Sequence, residues 1–134
     1  MSVQQDNLAV IVAWLDAMRR GDLLAVTELL APNVVWRGVP AHNVCRDRRE
    51  VLAMLAGRTE EGFESTEALE LVTGEGTVVL GIRSPALQEV GDELLPGQLF
   101  NVFTLTQGHV VAVQDFAARD EALRAADARA PQWV

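Results

Sequence analysis

Among the residues able to do chemistry, one aspartate stands out by its surroundings. In the stretch His109 to Ala117, strand alternation puts Val111, Val113 and Asp115 on one face and Val110, Ala112, Gln114 and Phe116 on the other. A carboxylate that continues a valine row is costly to bury without a partner. Loss of water raises its pKa towards values useful in acid–base catalysis. On the neighbouring predicted strand, Asn101 interrupts the apolar row Leu99, Phe103 and Leu105. Its amide could hydrogen-bond a ligand carbonyl, or equally satisfy a bulge or a water. His42, in a predicted loop, can titrate near neutral pH and reach a pocket mouth, or simply be an exposed histidine. Asp115 also has a bland reading, in which it accepts backbone or arginine hydrogen bonds at a strand end. Arg37, Arg83 and Arg119 are the candidate partners, and a carboxylate held by arginine keeps a low pKa and makes a poor base.

The apolar side chains that would surround such a site are Trp14, Met18, Trp36, Phe103 and Val113, with Arg83 at the edge. Trp14 and Met18 are four residues apart on a predicted helix and so share a face. With Trp36 they read either as core or as a flat wall for an apolar or cyclic ligand.

Other chemistries find no support in the residue pattern. Cys45 is the single cysteine, so no intrachain disulfide or cysteine-based zinc site can form, and it reads as a small half-buried hydrophobe. Two histidines, both in predicted loops, lack metal-ligand spacing. Gly74-Glu75-Gly76 lies between two predicted strands with no following helix, which excludes a dinucleotide fingerprint. Neither a metal nor a cofactor is therefore expected. Glu60, Glu61, Glu64 and Glu67 read as a solvated face.

The 134 residues are enough for one domain, 1–134, and 49% apolar with 22% charged residues is ordinary globular composition. A net charge of -8 repels phosphate backbones and anionic headgroups, so neither nucleic acid nor membrane is an expected partner. The apolar run Leu8 to Leu15 is too short to span a bilayer and is flanked by Asp6 and Asp16. A cytoplasmic location is the simplest expectation.

The elements that must position these residues follow from local patterns. Leu8, Ile11, Val12, Leu15 and Met18 predict a helix over Asn7 to Arg20, ended by Gly21, and Asp22 caps a second short helix that lasts until Pro32. Asn33 to Arg37 reads as a strand, and Asp47 with Glu50 forms a capping box for a third helix closed by Gly57. Strands are predicted from Phe63 to Val72, where glutamate and alanine compete for helix, and from Thr77 to Arg83. Gln98 to Thr106 and His109 to Ala117 form a hairpin through Gln107-Gly108. The connection from Ser84 to Gly97 is an extended hairpin or a lid, and a last helix runs from Asp120 to Arg129. Helices first and strands later predict an α+β fold with helices on one face of a mostly antiparallel sheet and a pocket between them.

Several stretches together resemble the nuclear-transport-factor-2-like superfamily, in particular its SnoaL-like, or polyketide-cyclase-like, branch. They are Met18 to Asp22, Ala31 to Trp36, Cys45 to Val51, Leu99 to Leu105 and Gly108 to Phe116. The resemblance covers nearly the whole chain. It implies a cone: a strongly curved, mixed but mainly antiparallel sheet wrapped around the N-terminal helices, with one apolar pocket in its mouth. It also implies a homodimer through the sheet's outer face, where Phe100, Val102, Val110, Ala112 and Phe116 would form the patch. Asp115 matches the position of a pocket acid/base in that branch. The chain departs from better-defined members in carrying Trp36-Arg37 where the ketosteroid-isomerase resemblance requires a carboxylate, and in having no tyrosine to serve as a phenol donor. The implied functions are a cofactor-free isomerase, cyclase or hydrolase, or a non-catalytic binding or accessory module.

Overall fold

The computed structural model describes residues 3–40, 42–61, 68–84, 89–90, 93–94 and 97–128. The first helix, α1 (Val3–Arg20), starts about a turn ahead of the predicted start and buries Asn7, Ile11, Trp14, Leu15 and Met18 along one face. Asp22 caps α2 (Leu23–Leu29) as expected, its carboxylate accepting from the Ala25 N–H at 3.1 Å. Strand β1 (Leu30–Arg37) begins before Pro32 rather than after it. The proline is tolerated because the parallel ladder joining β1 to the later strand His109–Phe116 is broken there. Leu30 aligns with Val110, and pairing resumes only at Val35 with Ala112. A residue without an N–H sits where no ladder bond is made.

Strand β2 (Val44–Cys45), absent from the sequence-based expectation, folds back on Arg37 and Trp36 and leaves Cys45 half-buried. Helix α3 (Arg48–Glu61) opens on the predicted box. Asp47 Oδ1 accepts from the Glu50 N–H at 2.9 Å, and Glu50 Oε1 accepts from the Arg46 N–H at 2.6 Å. It runs past Gly57, which does not take the left-handed conformation that would end it. A glycine that stays helical costs only about 1 kcal/mol against alanine.

The remaining strands are β3 (Ala68–Thr73), β4 (Thr77–Arg83), the short β5 (Glu89–Val90) and β6 (Glu93–Leu94), β7 (Gln98–Thr106) and β8 (His109–Phe116). Residues 63–67 of the strand expected from Phe63 lie outside the described residues. In the Ser84 to Gly97 connection β5 and β6 pair antiparallel as a separate ribbon. The main sheet is open and six-stranded in the order β2-β1-β8-β7-β4-β3, with only β1 and β8 parallel. The β7–β8 turn is tight because both Gln107 and Gly108 have positive φ, 51° and 80°, the twist that suits antiparallel neighbours.

Alternation along β8 fails at one point. Leu105 pairs with Val110 but Thr104 pairs with Ala112, so Val111 is an extra residue in a bulge. The bulge turns Val110 inward, into the same core as Val113 and against its expected outer placement, while Val111 is half-buried.

Each face of the sheet has its own core. The inner face packs Val34, Trp36, Val78, Leu80, Phe103 and Val113 against Ile11, Trp14 and Met18 of α1 and Val51 and Leu55 of α3. On the outer face Val72, Val79, Phe100 and Val102 lie beneath Ala122, Leu123 and Ala126. Those three belong to or abut α4 (Arg119–Ala125), which ends short of the predicted Arg129. Gly74 bridges to Ala128, and a Cβ there would collide with Ala126 O and Thr77 Oγ1, so only glycine lets the chain close over this edge. Three of the five residues expected to pair two copies are thus covered within the chain, while Ala112 and Phe116 are half-buried. Phe100 and Val102 are buried under the chain's own helix, and Val110 is in the inner core. Among the described residues no helix is long and apolar enough to cross a membrane.

Candidate functional site

A row of register partners crosses the inner face from β8 to β3: Asp115, Asn101, Leu80 and Leu71. The two polar members are neighbours within an otherwise apolar surface. Asp115 is 3% exposed and Asn101 4%. Asn101 Nδ2 donates to Asp115 Oδ1 at 2.6 Å, and the Trp36 indole Nε1 donates to Asp115 Oδ2 at 3.0 Å. Each carboxylate oxygen therefore has a neutral N–H donor aimed at it. The two donors favour the ionised form while burial opposes it, and they fix the plane of the carboxyl group.

The aromatic side chains meet at angles that fit the core reading rather than the flat wall, the two readings open from the sequence. Trp14 and Trp36 have ring centroids 5.9 Å apart and are tilted by 33°, while Phe103 meets Trp14 at 5.4 Å and Trp36 at 6.1 Å, edge to face in both cases. Such edge-on packing is a favoured geometry for aromatic cores. Val113 lies between Trp36 and Phe103 in the ladder, and Met18 is buried in the same core. Trp36 thus has a second role that its hydrophobicity concealed, as the indole donor that orients Asp115.

The remaining charged or titratable candidates sit at strand ends or on the outer face. His42 is exposed beyond the end of β1 and makes no hydrogen bond among the described residues. Arg83 ends β4, half-buried, and alternation puts it with Val79 rather than with the inward Leu80 and Ile82. Arg37 is exposed at the end of β1. Arg119 is engaged elsewhere: its Nε and Nη2 each donate to Glu70 at 2.9 Å, on the outer face. Hydrogen bonding to Glu70 holds the Arg119 pKa above its usual value, charge attraction adds to this, and partial burial opposes it. Among the described residues no three His, Cys, Asp or Glu side chains converge as a metal site.

One inward polar residue escaped the sequence reading. Asn7 is 5% exposed on the stripe that α1 turns to the core, and its Nδ2 has no hydrogen-bond partner among the described residues. Its spacing from Ile11 and Trp14, one and two turns on, was the available signal.

No family model matches the sequence, and no curated protein matches it in sequence. Solved structures do resemble it. A candidate SnoaL-like polyketide cyclase from Jannaschia sp. CCS1 superposes with a TM-score of 0.64 at 18% identity, covering 98% of this chain and 97% of its own. An NTF2-like protein of unknown function from Mesorhizobium loti gives 0.66 at 13% identity over 87% and 93%. A candidate ketosteroid isomerase from Kribbella flavida gives 0.62 at 17% identity over 84% and 78%. The helices before an open mixed sheet, the crossing of α1 over its inner face and these superpositions together make this a chain of the nuclear-transport-factor-2-like fold.

Proposed function

We propose that the protein is a small-molecule enzyme that needs no cofactor, in which Asp115 moves a proton on a small apolar or cyclic carbonyl compound. The observation that carries this reading is a carboxylate on the inner, apolar side of the sheet, oriented through both oxygens by Trp36 and Asn101. In the proposed step Asp115 takes a proton from the carbon next to the ligand carbonyl, and the C–H electron pair moves to the carbonyl oxygen as an enolate. The second N–H of Asn101 supports that oxygen. The protonated Asp115 then returns its proton to carbon, at the same or a conjugated position. Positioned proton transfer of this kind contributes about a hundred- to ten-thousand-fold. His42 is left out of the step because it is exposed in its turn. The names of two structural neighbours, a candidate polyketide cyclase and a candidate ketosteroid isomerase, accord with this class of reaction and with a SnoaL-like assignment.

A second reading has its own observation. Trp14, Trp36 and Phe103 pack edge to face in the inner core, so Asp115 can serve merely to satisfy Trp36 and Asn101 in a binding or accessory module. Deuterium exchange separates the two. In D2O the wild type is expected to speed α-proton exchange of 1-tetralone over buffer, and Asp115→Asn to lose roughly a hundredfold or more of that rate, with 1-tetralone affinity kept within about tenfold by fluorescence. Binding without accelerated exchange would abandon the enzyme for the binding module.

A further inference from the structure

The unpaired amide of Asn7 is the one buried side-chain polar group among the described residues that the fold leaves without a partner. An unmade buried donor destabilises the fold, and this one is retained on a helix face that is otherwise Ile11, Trp14, Leu15, Ala17 and Met18. One turn before it, Gln4 Nε2 reaches Gly74 O at 3.5 Å, at the β3–β4 turn. Two turns after it, Trp14 meets Phe103 and Trp36. Between these points α1 passes over β4 and β3. Their inward side chains are Leu69, Leu71, Thr73, Val78, Leu80 and Ile82, of which only Thr73 carries an acceptor, and Asn7 Nδ2 makes no hydrogen bond to it. The backbone groups of β4 are taken by its ladders with β3 and β7, and β3, at the sheet edge, is paired on its β4 side, with none of its groups bonded to Asn7 Nδ2. Meanwhile Leu69, Leu71 and Ile82 remain only partly buried although they face inward.

The geometry points to Asn7 as a ligand-binding residue: its Nδ2 donates to an uncharged oxygen acceptor, such as a ketone or ether, on an apolar molecule seated between α1 and the inner face of β3 and β4. A carboxylate or phosphate is disfavoured there, because a lone amide among leucines cannot offset the desolvation of a charge. Asn7 and Trp14 are about 10 Å apart along the helix. An acceptor bound by Asn7 is therefore remote from Asp115, and for a ligand with a single oxygen the Asn7-bound pose and the pose that presents an α-proton to Asp115 are alternatives. This inference rests on the interior admitting a small molecule and is independent of any proton transfer.

The test uses two probes of one skeleton, tetralin and 1-tetralone, titrated into 15N-labelled full-length protein. The wild type is expected to bind 1-tetralone roughly fivefold more tightly than tetralin, the share of one neutral hydrogen bond, with the Asn7 side-chain amide resonance moving only for the ketone. Asn7→Leu is expected to erase that preference while raising the melting temperature, since an unmade donor is replaced by a group that suits its wall. A preference that survives in Asn7→Leu, no preference in the wild type, an amide resonance unmoved by the ketone, or no binding of either probe overturns the inference. Should Asn7→Leu not fold, the wild-type amide resonance decides alone. Ketone binding through Asn7 without α-proton exchange would reject the reaction and leave this site standing. Exchange dependent on Asp115, with the preference unchanged in Asn7→Leu, would do the opposite.

Discussion

The two faces of the same sheet handle polar groups in opposite ways. On the outer face α4 closes over Phe100 and Val102, and the charged pair Arg119–Glu70 sits at the rim of that contact, bidentate and partly wet. On the inner face a carboxylate is sunk among aromatic and aliphatic side chains, with the Trp36 and Asn101 N–H groups donating to it. A rim ion pair between helix and sheet needs no explanation beyond docking the helix. A buried carboxylate costs free energy that packing alone would have avoided, and such costs concentrate where chemistry or binding uses them. The outer face therefore reads as closure, and the inner face is where the proposed site lies.

The comparison can be broken most forcefully at Leu123. Leu123→Asp puts a charge into the outer core, and a loss on the order of 3 kcal/mol or more in urea unfolding is expected. Uncovered Phe100 and Val102 should then promote self-association, visible by sedimentation. Wild-type stability in that variant would mean that α4 does not seal the face.

Trp36→Phe sharpens the other side. It keeps most of the ring and removes the N–H aimed at Asp115, with an expected cost of about 1–3 kcal/mol. A structural role alone predicts lost stability. A positioning role predicts, in addition, a shifted pH profile for α-proton exchange, because one donor favouring the ionised carboxyl is gone.

The smallest effect belongs to Arg119→Met, expected to cost about 1 kcal/mol or less and to shrink with added salt. Because the folded-state pKa of Arg119 is raised, its contribution is complete below the unfolded value and fades only as pH rises through the folded one, far above neutrality. Thermal stability should consequently show no Arg119-dependent step between mildly acidic and mildly alkaline pH. Such a step would place the pair's energetics elsewhere.

Features set by neighbours in sequence were legible in advance. The Asp47–Glu50 box, the Asp22 cap, β4 and the Gln107-Gly108 hairpin all depend on contacts within a few residues, and each lies where the pattern predicts. Alternation also placed Asp115 and Asn101 on the inner side correctly, which local geometry is sufficient to do. Gly57 misled because glycine ends a helix only by adopting a left-handed conformation, and its sequence does not show whether it will.

What only the tertiary structure decided are the pairings between distant segments. Trp36 and Asp115 are far apart in the chain and meet through the parallel alignment of β1 with β8, which no local pattern encodes. The bulge that turns Val110 inward and the docking of α4 over Phe100 likewise arise from fitting one element to another. The sequence by itself determined most of the helices, the long strands and the inner side for Asp115 and Asn101, because those follow from short-range sterics and hydrophobic periodicity. Which donors face Asp115, which face is covered, and that Asn7 lacks a partner were settled by long-range packing, where every candidate contact competes with all the others.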